Sequence, residues 1–186
     1  MTEGFIPPHG GYQKLLSYQK AQIVYDATVY FCDRFIDRRS RTHDQMVQAA
    51  RSGKQNIIEG SMASGTSKEM EIKLTNVARA SLEELLEDYR DFLRTRSLAE
   101  WTGDHPYARR SRALNRIPDA DFETFRKGIA HNDPAISANV IIGLIRVTSY
   151  LLDRQLKQLE AAFLKEGGLR ERMTKARLEA RSKSRR

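Results

Sequence analysis

The chain has 186 residues, 40% of them hydrophobic and 30% charged, and a formal net charge of +8. That length fills one hydrophobic core well and leaves little for a second. The N-terminus MTEGFIPPHGG carries no apolar run and does not read as a secretory signal, while Val140–Leu152, interrupted by Arg146, reads as too short and too broken to span a bilayer.

A cytoplasmic location and no membrane partner are therefore expected. Only five prolines are present, no Val/Ile/Thr-rich alternation recurs, and helix is the expected regular structure. The single cysteine, Cys32, has no internal disulfide partner and lies in an apolar Tyr30-Phe31-Cys32 context that predicts a small core residue.

Residues 1–11 read as an N-terminal extension, 12–164 as the helical body and 165–186 as a basic tail. A first long helix is predicted from about Tyr12 to about Arg39, with Leu15, Leu16, Ile23, Val24, Ala27, Tyr30, Phe31 and Phe35 at three- and four-residue spacing. Its length is about 40 Å. The basic run Arg38, Arg39, Arg41 falls at its expected C-terminus, where cations oppose the helix dipole.

A second helix is predicted from Asp44 to about Gly60. Met46, Val47, Ala50, Gly53 and Ile57 share one face, and Gly53 there permits a close helix–helix approach. On the opposite face Arg51, Gln55 and Glu59 form a polar ladder at i, i+4 and i+8. With Gln48 and Asn56, this amide-rich ladder is the candidate surface for a second subunit. A third helix, capped by Thr66-x-x-Glu69, continues to about Arg96 with an acidic second half.

Residues 97–133 read as an insertion between the long helices, holding a turn-rich stretch, an arginine-rich segment Ala108–Arg116 and a short helix within Asp119–Gly128. The fourth long helix starts at Asp133-Pro134 and stops at Gly167-Gly168. Its VIIGLIRVTSYLL run is apolar around most of the circumference. A second subunit is expected to cover the excess, with Ile142 and Ile145 as interface candidates. The predicted fold class is all-α, an antiparallel up-and-down four-helix bundle with a long insertion before the fourth long helix.

Gln48–Gly60, with its Ser52 followed by Asn56-Ile57-Ile58-Glu59-Gly60 block, resembles the second-helix signature of a four-helix-bundle family. That family is named for the protein encoded in intervening sequences of bacterial 23S ribosomal RNA genes and was once labelled ribosomal protein S23. Ser67-Lys68-Glu69 and Ala80–Leu85 resemble its third helix. Gly11-Tyr12, Tyr18-Gln19-Lys20, Tyr25-Asp26, Arg41-Thr42-x-Asp44-Gln45-Met46 and Asp88–Asp91 are similar to the variant called the four-helix-bundle suffix domain. The resemblance covers roughly Gly11–Trp101. It implies a homopentamer. One relative, the accessory variability protein of diversity-generating retroelements, implies nucleic acid and a reverse-transcriptase-like protein as partners.

Charge gives the same partner class a location. Residues 165–186 hold nine Lys/Arg against three Glu, leaving the remaining 164 residues at only +2. A basic tail on a nearly neutral body suits an anionic partner, RNA or DNA. The candidate phosphate contacts are Arg38, Arg39 and Arg41; Arg109, Arg110, Arg112 and Arg116; and, in the tail, Arg170, Arg172, Lys175, Arg177, Arg181, Lys183, Arg185 and Arg186.

Phosphate loops, zinc-ligand spacings and nucleophile elbows are absent from the sequence. Two enzyme patterns remain as alternatives. Glu84-x-x-Glu87 and Asp88-x-x-Asp91 resemble the carboxylate pairs of magnesium-dependent all-α pyrophosphohydrolases, but Asp153 and Glu160 are the only carboxylates available opposite them. Arg126 and His131 resemble the short Arg…His motif of the metal-independent HEPN ribonucleases, with His as acid–base and Arg as charge stabiliser. The expectation is a non-catalytic oligomeric scaffold without metal or cofactor that binds nucleic acid or a nucleoprotein partner. A purely protein-binding scaffold is the other alternative.

Overall fold

A computed structural model of the chain describes residues 9–183. Residues 1–8 and 184–186, Arg185 and Arg186 among them, and the side chain of Lys183 lie outside the described set, and with them part of the predicted N-terminal extension and tail. Among the described residues every regular element is helical, so the all-α expectation holds.

A 3-10 turn, Tyr12–Lys14, follows Gly10 and Gly11, whose positive φ angles of 77° and 79° turn the chain into α1, Leu16–Phe35. The first helix is shorter at both ends than predicted. Its C-terminal stop has a local cause. Ile36 is extended, and Asp37 Oδ1 accepts the Arg39 N–H at 2.8 Å, a side-chain turn that competes with helix. Ser40 then caps α2, Arg41–Ala63, by accepting the Thr42 N–H at 3.2 Å. Arg41 thus opens a helix instead of closing one, so the dipole does not account for it.

The start of α3, Lys68–Thr95, also moves. Ser67, not Thr66, accepts from the Met70 N–H at 3.1 Å. Both Thr66 and Ser67 return their N–H groups to Ala63 O, so they still belong to the closing turn of α2. The insertion holds two helices, α4 (Pro106–Leu114) and α5 (Phe122–Ile129), the latter opened by a reciprocal Asp121/Thr124 capping box. Then come α6, Pro134–Glu166, capped by Asp133 as expected, and α7, Leu169–Lys183, entered through Gly167 at φ 66°.

The long helices pack as neighbours around a closed ring: α1 on α2, α2 on α3, α3 on α6 and α6 on α1. Their shared interior holds Phe31, Met46, Ile57, Leu82, Leu85, Tyr89, Ile141 and Leu144, all fully buried. Phe31 meets the edges of Tyr89 and Phe92 at 5.0 and 4.9 Å, and the Tyr89 hydroxyl donates to Thr28 Oγ1 at 3.2 Å. Gly53 lies against Leu82, where an added Cβ would sit 2.9 Å from Leu82 Cδ2; this is the close approach the sequence implies. Cys32 is buried, and burial with Asp33 and Asp88 nearby pushes its thiol up to about 12, an inert core group.

The apolar excess of α6 finds its cover inside the chain. Both α4 and α5 pack on α6. Gly128 of α5 permits this, since a Cβ there would lie 2.8 Å from Val140 Cγ2. Ile142 is 2% exposed and Ile145 0%. The expectation that these two meet another subunit is therefore corrected: each already gains the burial worth about 1.5–3 kcal/mol for such a side chain.

The view of the apolar run as too short for a bilayer is corrected too. The α6–α7 region contains an 18-residue window of mean hydropathy 1.6, long and apolar enough to cross a membrane by composition. However, 56% of that window is buried against the rest of the chain, as in the core helix of a globular fold.

Candidate nucleic-acid interface

The predicted cations fall on three separate places. At the α1–α2 turn Arg38 pairs with Asp33 at 3.2 Å, while Arg39 and Arg41 are exposed. On α4 the residues Arg109, Arg112 and Arg116 are spaced i, i+3 and i+7, which aligns them on one side of the helix and just past its end. All are exposed, as is Arg110. Arg109 pairs with Asp104 at 3.3 Å, and Arg112 donates to Gly103 O. Arg110 and Arg116 have no ion-pair partner among the described residues.

The third place is α7, LRERMTKARLEARSK, with six Lys/Arg against two Glu. Arg170, Arg177 and Arg181 are spaced i, i+7 and i+11 and form an exposed stripe. Lys175 is also exposed, and Arg172 turns inward to donate to Gly65 O at 3.5 Å. Arg170, Arg172, Lys175, Arg177 and Arg181 of α7 have no carboxylate partner among the described residues. On the helical body Arg38, Lys68, Arg79, Arg90, Arg94, Arg109, Arg126 and Arg146 have one, and the other described Lys and Arg do not.

The insertion adds a feature that sequence reasoning passed over as a turn-rich stretch. Trp101 stacks on His105, with ring centroids 4.6 Å apart and planes 7° from parallel, and Tyr107 leans on both. Asn139 of α6 fixes this loop. Its Oδ1 accepts the Trp101 N–H at 2.7 Å, and its Nδ2 donates to Ala99 O at 2.9 Å. Arg146 and Arg90 both reach Glu100. Between the loop, α4 and α6 lies a cavity of about 220 Å³ bordered by Trp101, Ser111, Arg112, Asn115 and Gly143. The signal in the sequence was three aromatic rings within seven residues beside an arginine-rich segment.

The α2 ladder stands partly as predicted. Gln48, Arg51 and Glu59 are exposed and Gln55 half-buried, without hydrogen-bond partners among the described residues. Asn56 differs: its Nδ2 donates to Ser52 O at 2.8 Å, and Ser52 Oγ meets Ser81 Oγ of α3 at 3.0 Å. That amide serves the α2–α3 contact. Beside the ladder a shallow groove of about 420 Å³ is bordered by Arg41, Gln45, Gln48, Ser81 and Glu84.

The residues weighed for catalysis lie apart or are otherwise engaged. Arg126 is held by Glu123 at 2.8 and 3.0 Å, and His131 lies beyond the end of α5, where its Nδ1 accepts the Asp133 N–H at 3.0 Å. Asp153 pairs with Arg79 at 3.6 Å and stands exposed. No group of three or more His, Cys, Asp or Glu is placed to hold a metal among the described residues. Half-burial beside Glu84 and Asp91 pushes the Asp88 carboxyl up from its ordinary range. Compared with known proteins, the chain matches no family model, no curated protein and no solved structure.

Proposed function

We propose that this chain is a non-catalytic helical scaffold that binds nucleic acid, or a nucleoprotein partner, through basic surfaces on α4 and α7. In this reading the ring of long helices is an antiparallel up-and-down four-helix bundle, and the protein works as a homo-oligomer. Its resemblance to the intervening-sequence family supports five copies.

One observation carries the reading. Arg170, Lys175, Arg177 and Arg181 stand exposed along α7 with no carboxylate partner among the described residues. An unpaired basic stripe attracts polyanions and releases their counterions on contact. The Arg110 and Arg116 guanidiniums on and beside α4 extend the same chemistry to a second surface. Gly143, which borders the α4 contact, and Gly167, which precedes α7, are about 36 Å apart along α6. The two surfaces therefore suit an extended ligand better than a small one.

The test is binding of oligonucleotides as salt is raised. Affinity should fall steeply and show little sequence preference. Replacing Arg170, Arg177 and Arg181 together with alanine should lower the single-strand salt slope by about 2. Binding that stays flat from low to high salt, or no binding at low salt, would overturn the reading.

A further inference from the structure

We propose that the cavity between α4, α6 and the Trp101 loop receives one unstacked nucleobase of a single-stranded nucleic acid. The inference rests on the nucleic-acid reading above and specifies how the α4 surface would use it.

The cavity contains hydrogen-bonding groups that the chain itself leaves unmet. Ser111 is 7% exposed, yet its Oγ has no partner among the described residues. Buried hydroxyls are nearly always bonded, so an empty one lining a cavity calls for an outside group. Asn115 offers a second. Its Nδ2 donates to Ser111 O at 3.0 Å, which leaves Oδ1 buried and unpartnered as an acceptor. The two groups together ask for a molecular edge that carries a donor and can also engage a hydroxyl.

The remaining walls narrow the ligand class. Trp101 supplies a planar wall, fixed by the Asn139 bond and by the His105 ring stacked on it. Gly143 keeps the floor open: a Cβ there would sit 3.4 Å from Ser111 Oγ. Arg112 borders the cavity from α4 and Tyr150, 60% exposed, from α6. A free inorganic anion would meet the Asn115 oxygen, which only accepts. An amine cation would meet Arg112. An apolar ligand would leave Ser111 and Asn115 unmet. A nucleobase has a flat face for the indole and a donor–acceptor edge for the two polar groups, and its flanking phosphates suit the arginine.

Trp101 is the chain's one tryptophan, so its fluorescence reports on the cavity directly. The full chain is titrated at low salt with a short oligodeoxyadenylate, with an abasic oligomer of the same length, with the corresponding duplex and with free adenosine monophosphate. The expected result is saturable quenching by the single strand alone. The abasic oligomer and the duplex bind without quenching, and the abasic oligomer binds roughly tenfold more weakly, the value of one stacked base. Gly143→Val, which fills the cavity, and Asn115→Ala, which removes the acceptor, should each abolish that tenfold preference while salt-dependent binding through α7 persists. Circular dichroism confirms that each variant is folded.

Equal affinity for the two single-stranded oligomers, with no quenching, would overturn the cavity proposal and leave the scaffold reading intact. Quenching by the free mononucleotide as strong as by the strand would replace the strand with a small nucleotide as the ligand. No binding by any oligomer would overturn both readings.

Discussion

Gly53 shows how one missing methyl sets the spacing of two helices. Glycine inside a helix costs about 1 kcal/mol relative to alanine, so Gly53→Ala taken alone would stabilise α2. The new Cβ would lie 2.9 Å from Leu82 Cδ2 and 3.0 Å from Leu82 Cγ, on a side chain that is fully buried. Overpacking of this kind costs about 1–3 kcal/mol. The net expectation is a loss of about 1 kcal/mol in denaturant melts. In a Leu82→Ala background the space is free, and Gly53→Ala should then stabilise. An unchanged penalty in that background would show that the packing against Leu82 is not its source.

Asp88 carries a pH signature at the same scale. Its carboxyl is pushed up by burial first, then by Glu84 and Asp91. A carboxyl raised in the folded state holds its proton there longer than in the unfolded chain. Below its ordinary range both states are protonated, and Asp88 exerts no pH-dependent effect. As pH rises through the ordinary range to the raised folded value, ionisation disfavours the fold, and above that value the penalty is complete. Asp88→Asn should therefore raise the melting temperature at pH 7 and change it much less near pH 3. An equal change at both pH values would show that charge is not the cause.

At the scale of elements, the long helices were legible because each buries a stripe at a spacing of three and four, as Ala21, Val24, Ala27, Thr28 and Phe31 do on α1. Their ends were less so. The stop at Phe35 depends on Asp37 folding its carboxylate onto the Arg39 N–H, a choice that apolar periodicity does not register. The apolar excess of α6 was also visible, but its cover was not. That cover comes from α5, seated through Gly128 on Val140, and from α4. Such packing depends on contacts distant in sequence, to which local patterns are blind. The candidate cavity was hidden for the same reason: the Trp101 backbone is held by Asn139, thirty-eight positions away. The arginines around it were legible as charge; the unmet Ser111 hydroxyl was not.

For the molecule as a whole, burying Ile142 and Ile145 within the chain shifts the case for assembly onto α2. Gln48, Arg51, Gln55 and Glu59 line one face, with no hydrogen-bond partner among the described residues. Long amide side chains lose conformational freedom when ordered, so a row of them contributes to binding only where partners hold them in place. Met62 of α2 and Met70 and Val77 of α3 are each about half exposed, apolar surface of the kind that an interface covers. If copies meet through this face, the mass by light scattering should be a multiple of the 21.4 kDa chain, five-fold for the pentamer. Converting Arg51 and Gln55 together to glutamate would make the ladder acidic alongside Glu59. In a five-fold ring this face meets a different face of the neighbouring copy, so the new carboxylates would be buried there without partners, and the double variant should dissociate to smaller species while remaining helical. A single-chain mass for the unaltered protein at micromolar concentration would overturn the assembly. An unchanged oligomer in the double variant would move the contact away from this face of α2.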